Sequence, residues 1–209
     1  NVFNQEGKGN ENADKYEGLL IEEIRNQIVK DLEEKEYIEK IEDYDNNVNH
    51  CERCDSKVEP YISMQWFVNI KPLARKAINA VKNEDIKIIP ERFNKTYFEW
   101  MENIVDWCIS RQLWWGHRIP AWFCNKCEHI TVNMETPINC EECKSKDIYQ
   151  DPDVLDTWFS SGLWTHSTLG WPNDTKDLNK FYPSNVMETG YDILFFWVAR
   201  MIMLGIENM

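Results

Sequence analysis

Positive charge is scarce in this sequence. Its 23 lysines and arginines stand against 36 aspartates and glutamates, a net charge of −13. A stand-alone nucleic-acid binder needs a basic face to neutralise phosphates, and no such footprint is evident. A long hydrophobic run is missing too. The longest, Ile193–Ile206, is about 14 residues and is interrupted by Arg200, whereas a membrane span needs roughly 20. That run reads as a buried helix, and no membrane partner is expected. The N-terminus is polar from Asn4 onward and offers no secretory signal. Internal repeats and low-complexity tracts are absent, and so is an initiator methionine, so both ends read as internal to a longer chain. What remains is globular: 43% hydrophobic residues over 209 positions suffice for one or two domains with a real core.

Aromatic residues and cysteines are what the chain has in quantity. Seven of the ten tryptophans fall between Trp107 and Trp171, a density that belongs to a packed platform or a pocket rather than to a solvated linker. Cys124, Cys127, Cys140 and Cys143 are spaced C-x2-C-x12-C-x2-C. Two such knuckles offer the four thiolates of a closed, tetrahedral structural zinc site. Cys51 and Cys54 form a further C-x2-C, which is either half of a metal site or two free thiols. Cys108 reads as a small core residue. Thiols paired for metal rather than for disulfides point to a reducing, cytoplasmic setting.

Periodicity places the elements. Ile21, Ile24, Ile28 and Leu32 share one face of a helix over Tyr16–Tyr37. Val58–Val68 alternates in part like a strand. Pro72 opens a helix that faces Leu73, Ala77, Ile78 and Val81 inward. Ile86–Ile89 predicts a short strand, and Tyr97–Arg111 a helix with Phe98, Met101, Val105 and Cys108 on one stripe. Ser184–Thr189 predicts a short buried strand that Gly190 turns into a helix over Tyr191–Ile206, apolar nearly all round. Asp192 sits in that helix's first turn. There it either caps and charges the helix start or presents a carboxylate to an ammonium or a ribose hydroxyl. His117 reads as a hydrogen-bonded structural residue, and His129 as a spare ligand at best.

Four stretches carry a resemblance: Gln65–Val68, Trp107–Trp122, Asp153–Trp164 and Thr189–Trp197. Together with the four-cysteine module they resemble the valyl-tRNA synthetases, within the class I aminoacyl-tRNA synthetases. The isoleucine enzymes are the nearest alternative, but their wording after the knuckles is closer to Asp-Val-Trp-Phe-Asp-Ser-Gly than to Asp156–Gly162 here. The resemblance implies an α/β fold: a partial Rossmann-type catalytic core at the start of its second half, with a connective-peptide region and a four-cysteine zinc ribbon. Its implied divisions are residues 1–45, the trailing edge of an editing insertion; 46–122, a connective region; 123–150, the ribbon; and 151–209, the core. Relatives usually carry glycine where this chain has Asp14, and they complete the Cys51/Cys54 site with a C-x2-C located upstream.

By the same resemblance, Trp158 and Trp197 wall an amino-acid side-chain pocket. Thr189, Gly190 and Asp192 stand beside it for the amino acid or its adenylate. Core packing is the alternative for both indoles. Trp114, Trp115, Trp122, Trp164 and Trp171 are left as platform residues. The implied activity is ATP-dependent charging of tRNA(Val) with valine and editing of mischarged threonine, with structural zinc, and with ATP and magnesium in the intact enzyme. The family's His-Ile-Gly-His and Lys-Met-Ser-Lys-Ser type motifs do not occur in these 209 residues, so this piece alone is expected to be inactive. A non-catalytic zinc-ribbon adaptor or a synthetase-like binding protein is the reading from another class.

Overall fold

The spacing of Ile21, Ile24, Ile28 and Leu32 does produce a helix, α1 (Ile21–Glu34). It starts later than expected. In the computed structural model, which describes residues 1–52 and 54–209, Glu11–Tyr16 form a 3-10 turn instead, capped by the Asn10 side chain. Gly18 then takes a left-handed φ of 81°. The Glu23 carboxylate accepts a hydrogen bond from Leu20 N at 2.9 Å, satisfying a donor ahead of the helix. Only Ile24 of the apolar face is fully buried. Arg25 forks onto Glu59 at 2.7 and 2.9 Å, and Lys57 reaches Glu22 at 2.6 Å. These pairs tie α1 to the stretch after Cys54. They belong to the first of two compact units, Asn1–Met64; the second is Gln65–Met209.

The second unit begins with β1 (Phe67–Val68), the only part of the expected 58–68 strand that forms. It is followed by α2 (Ile70–Lys82) and α3 (Phe93–Glu102). α2 buries Ile70, Ala74, Ala77 and Val81, and Leu73 and Ile78 pack at its margin. The 86–89 stretch is not a strand, having no partner to pair with among the described residues; Ile86 and Ile88 pack against the core as irregular chain. α3 also ends early. The expected helix to Arg111 gives way to β2 (Trp107–Cys108), antiparallel to β1, and β3 (Ser110–Arg111). The reason is burial in alternation: Trp107 and Ile109 point into the core while Val105 stays exposed. Cys108 is half-buried at the core's edge.

β3 pairs with β8 (Val154–Leu155), and β8 pairs with β4 (His117–Arg118), both antiparallel. Between β4 and β8 runs a separate sheet, in which β5 (Ala121–Cys124) lies between β6 (Ile130–Val132) and β7 (Ile148–Gln150). After β8 come three short helices, α4 (Thr157–Ser161), α5 (Trp164–Ser167) and α6 (Lys176–Phe181). The 184–189 stretch is irregular and largely exposed instead of a buried strand, since no neighbouring strand among the described residues pairs with it. The expected 191–206 helix is composite. A 3-10 turn (Tyr191–Ile193) leads into a π segment (Leu194–Val198) and then α7 (Ala199–Asn208). α7 packs on α2, where Ala74, Ala77 and Ala199 permit close approach and Met203 fills the gap. Every ladder among the described residues is antiparallel, and no helix among them is long and apolar enough to cross a membrane.

Candidate functional site

The four cysteines of the ribbon come together. Cys124 ends β5, Cys127 lies in the following turn, and Cys140 and Cys143 come from the turn before β7. All four sulfurs lie within 4.8 Å of one another, with Cys124 to Cys143 at 3.5 Å and Cys127 to Cys140 at 3.6 Å. Bonds of about 2.3 Å to a tetrahedral zinc require sulfur–sulfur edges of roughly 3.8 Å, so the residues present fit the ion. The electrostatics fit as well. Burial opposes a thiolate at Cys124, yet the N–H groups of Lys126 and Cys127 bring its thiol down to about 7. At Cys127 the N–H of His129 favours the thiolate, but neighbouring Cys143, burial, Cys124 and Cys140 outweigh it and push the thiol up to about 12. Sulfurs this close share their protons unequally unless a cation offsets the charge. His129 contributes a backbone carbonyl to Cys124 N at 3.0 Å and no ring nitrogen to the cluster.

A repeated backbone signal marks the knuckles. One residue after the second cysteine of each pair, the chain turns left-handed: Glu128 at φ 60° and Lys144 at φ 58°. Each donates its N–H to the carbonyl of the first cysteine, at 3.0 and 3.1 Å. Cys51–Cys54 repeats the pattern, with Asp55 at φ 57° donating to Cys51 O at 2.9 Å. The Cys51 N–H also bonds Ser56 O at 2.9 Å, as that of Cys140 bonds Ser145 O at 2.8 Å. Cys51 is half-buried and Cys54 exposed, and among the described residues no third ligand-type side chain joins them. The Ser56 hydroxyl beside Cys54 lowers its thiol from the ordinary value.

The two tryptophans expected to wall a pocket also meet. Trp158, 37% exposed on α4, stands 6.5 Å from Trp197 and 5.2 Å from Phe196 between ring centroids, edge to face. Trp197 and Phe196 belong to the π segment, a distortion that recurs at functional sites. The Trp197 Nε1 is buried with no hydrogen-bond partner among the described residues. Thr189, Gly190 and Asp192 head the same segment. Gly190 is extended (φ −61°, ψ 141°), and Asp192, exposed, folds its carboxylate back over it. A cleft of about 730 Å³ opens in this unit, walled in part by Trp100, Trp107, Arg111, Phe195 and Arg200, but neither Trp158 nor Trp197 lines it. The platform reading fails at Trp114 and Trp115, which are 103% and 88% exposed on the loop joining β3 to β4, off the core. Trp164 is also exposed; Trp122 alone of that group is buried. His117 is exposed on β4.

One residue that the spacing of motifs did not single out is Asp156, 7% exposed. Its Oδ2 accepts from Trp107 Nε1 at 3.2 Å and from Arg111 Nη2 at 2.8 Å; its Oδ1 accepts from Trp158 N at 3.2 Å. Arg200 lies 3.8 Å over the Trp107 ring. Burial presses against the Arg200 charge, Asp156 supports it and Arg111 opposes it. The signal available in the sequence was the Asp-Thr-Trp wording itself, in which an aspartate precedes a short helix as an N-cap does.

Comparison with known proteins gives two findings. The family described as tRNA synthetases class I (I, L, M and V) matches residues 21–209. Valine--tRNA ligase of Thermotoga maritima is 57% identical over 208 residues, 100% of this chain and 24% of the relative. The corresponding ligase of Petrotoga mobilis is 55% identical over 204 residues, 98% of this chain and 23% of the relative. That of Dehalococcoides mccartyi is 56% identical over 208 residues, 100% and 24% respectively. The chain thus spans about a quarter of the length of the curated relatives it matches, 24% in the first of them.

Proposed function

We propose, from the premise that this chain belongs to the class I tRNA synthetases, that it is a segment of a valine–tRNA ligase. The intact enzyme activates valine with ATP and magnesium, transfers it to tRNA(Val) and edits mischarged threonine. The observation that carries the reading is identity of 57% across the whole chain to a valine–tRNA ligase. In this reading residues 151–209 begin the second half of a Rossmann-type core. Residues 123–150 are its zinc ribbon, 46–122 its connective region and 1–45 the trailing edge of the editing insertion. A strongly acidic segment leaves the grip on tRNA to the rest of such an enzyme.

The chemistry of the pocket follows from valine itself. Its side chain forms no hydrogen bond, so shape is the only handle on it. Trp158 and Trp197, edge to face on separate elements, offer flat apolar walls against which isoleucine clashes. Asp192 provides a carboxylate for the ammonium group, and the backbone at Thr189–Gly190 lies beside it. Walls of this kind discriminate poorly against isosteric threonine, by about a hundredfold, a figure already known for valine enzymes and not a product of this geometry. An editing step therefore accompanies charging. Cys124, Cys127, Cys140 and Cys143 would hold a zinc ion, which cross-links the ribbon and takes no part in the reaction. The knuckle at Cys51 and Cys54 is a half-site awaiting two further ligands, and its backbone, shared with the two ribbon knuckles, supports that.

The test is a graft. Residues 1–209 replace the matching quarter of the Thermotoga maritima ligase, and amino-acid-dependent pyrophosphate exchange is measured beside the 209-residue chain alone. The graft is expected to exchange with valine in preference to isoleucine, and the chain alone to give none. A folded graft that prefers isoleucine, or uses neither amino acid, overturns the reading.

A further inference from the structure

We propose that Asp156 is the positioning residue of the aromatic pocket, setting where the Trp158 wall stands. The inference rests on the valine reading for its consequence in selectivity, but its geometry stands alone. α4 is five residues long. A helix so short cannot hold its own conformation, because nucleation costs more than one turn of hydrogen bonds returns. Its position is therefore set by what anchors its ends.

Both ends are anchored closely. At the C-terminal end, Gly162 lets α4 abut α7: a Cβ there would stand 2.6 Å from Leu204 Cδ1. At the N-terminal end everything passes through Asp156. Its N–H donates to Ile109 O at 2.7 Å, and its carbonyl accepts from Phe159 N at 2.9 Å. Its carboxylate joins three elements: Trp107 on β2, Arg111 on β3 and the Trp158 amide on α4. Phe159 rests edge-on against the Trp107 indole at 5.8 Å, so the ring that Asp156 holds also supports the underside of α4. Moving that carboxylate moves α4, and with it the indole that meets Phe196 and Trp197. A wall that separates amino acids differing by one methylene, roughly 10–200-fold, tolerates little displacement.

The alternative is that Asp156 only stabilises the fold. Asp151 supplies the comparison. It is another buried carboxylate of the same unit, accepting from Trp66 Nε1 at 2.7 Å, and none of its hydrogen bonds reaches α4. The 209-residue chain is labelled with 5-fluorotryptophan, and the Trp158 and Trp197 resonances are assigned with Trp158→Phe and Trp197→Phe. Asp156→Ala is expected to shift or broaden both resonances. Asp156→Asn keeps the oxygen that caps the Trp158 amide but sets an NH2 against the Trp107 and Arg111 donors, so it is expected to shift the Trp158 resonance as well, and it serves if the alanine variant does not fold. Asp151→Asn is expected to leave both in place. Resonances unmoved in Asp156→Ala, or moved equally by Asp151→Asn, overturn the proposal whatever amino acid the enzyme uses. In the graft, Asp156→Ala is expected to narrow the valine-to-isoleucine ratio of kcat/KM by tenfold or more, and Asp156→Asn to narrow it in the same direction. An unchanged ratio, or equal loss for both amino acids, refutes the selectivity role. Failure of the unaltered graft to use valine strikes the valine reading instead, and the fluorine spectra still decide the positioning.

Discussion

His166 is a buried residue with an unusual set of neighbours. It is 0% exposed, its Nε2 has no partner among the described residues, and its ring stands edge-on to Trp171 at 5.1 Å and Tyr182 at 5.8 Å. Thr165 Oγ1 lies 3.3 Å from Nδ1, so no carboxylate compensates a charge there. Burial lowers its affinity for a proton below the ordinary value. The unfolded chain takes up that proton as pH falls through about 6.5 while the folded chain resists it. The contribution is therefore complete above that pH and is lost as pH falls toward the lowered folded value. His166→Phe should flatten this part of the pH profile and add about 1 kcal/mol at neutral pH, since an unpartnered buried nitrogen costs on the order of 1–3. Urea melts at pH 7.5 and 5.5 check it: an unchanged slope between them refutes the assignment. Asp14 is strained in a different way. It holds φ 51°, ψ −125°, a conformation suited to glycine, and its side chain is exposed, with no hydrogen-bond or ion-pair partner among the described residues. Strain of this kind costs on the order of 1–3 kcal/mol, more than the roughly 0.4–1 that glycine loses through the unfolded state. Asp14→Gly is expected to stabilise the first unit by about 1 kcal/mol in denaturant melts, and a loss of stability would contradict that. Glycine is thus the residue this backbone asks for at position 14.

At the scale of elements, the four-cysteine module was legible and the strands around the core were not. Four cysteines at knuckle spacing specify a local structure, because each C-x2-C turn brings its two sulfurs to one side. The apolar periods at Ile21 and at Ile70–Val81 likewise specify helices, since one face repeats every three or four residues. Residues 104–111 misled because their apolar spacing fits a helix and a strand alike, and only pairing with β1 and β8 decides between them. The 184–189 stretch misled for a different reason: its place ahead of the Gly190 turn suggested a strand, but a strand needs a neighbour. The pairing of Trp158 with Trp197 was legible only through resemblance, as no local pattern links positions so far apart. Asp156 escaped notice because its partners Trp107 and Arg111 lie more than 40 residues away in sequence. The ribbon carries the prediction at this scale. Cys140→Ala should abolish zinc retention in metal analysis and unfold β5–β7, because binding at such sites supplies on the order of 10–16 kcal/mol, much of it folding energy. Retention of one zinc per chain by that variant would remove the metal assignment.

For the molecule as a whole, the order of strands matters more than their number. The four-cysteine stretch leaves the β3–β8–β4 sheet at β4 and returns at β8, and these two strands are hydrogen-bonded neighbours, with Arg118 opposite Val154. Ile119 N still bonds Asp153 O one step further out, at 3.5 Å. Entry and exit therefore share a doorway, and the stretch between them forms a cartridge that clips onto an existing hairpin (an insertion with adjacent ends closes at little entropic cost, roughly 0.6 kcal/mol per doubling of length). Such a cartridge can lengthen, shrink or change its metal chemistry without rethreading the chain behind it. The β3–β8–β4 sheet, with Asp156 immediately beyond it, keeps the same path whatever the cartridge becomes. Change in the four-cysteine stretch is thereby uncoupled by topology from the Trp158–Trp197 contact, so one can be altered while the other is held.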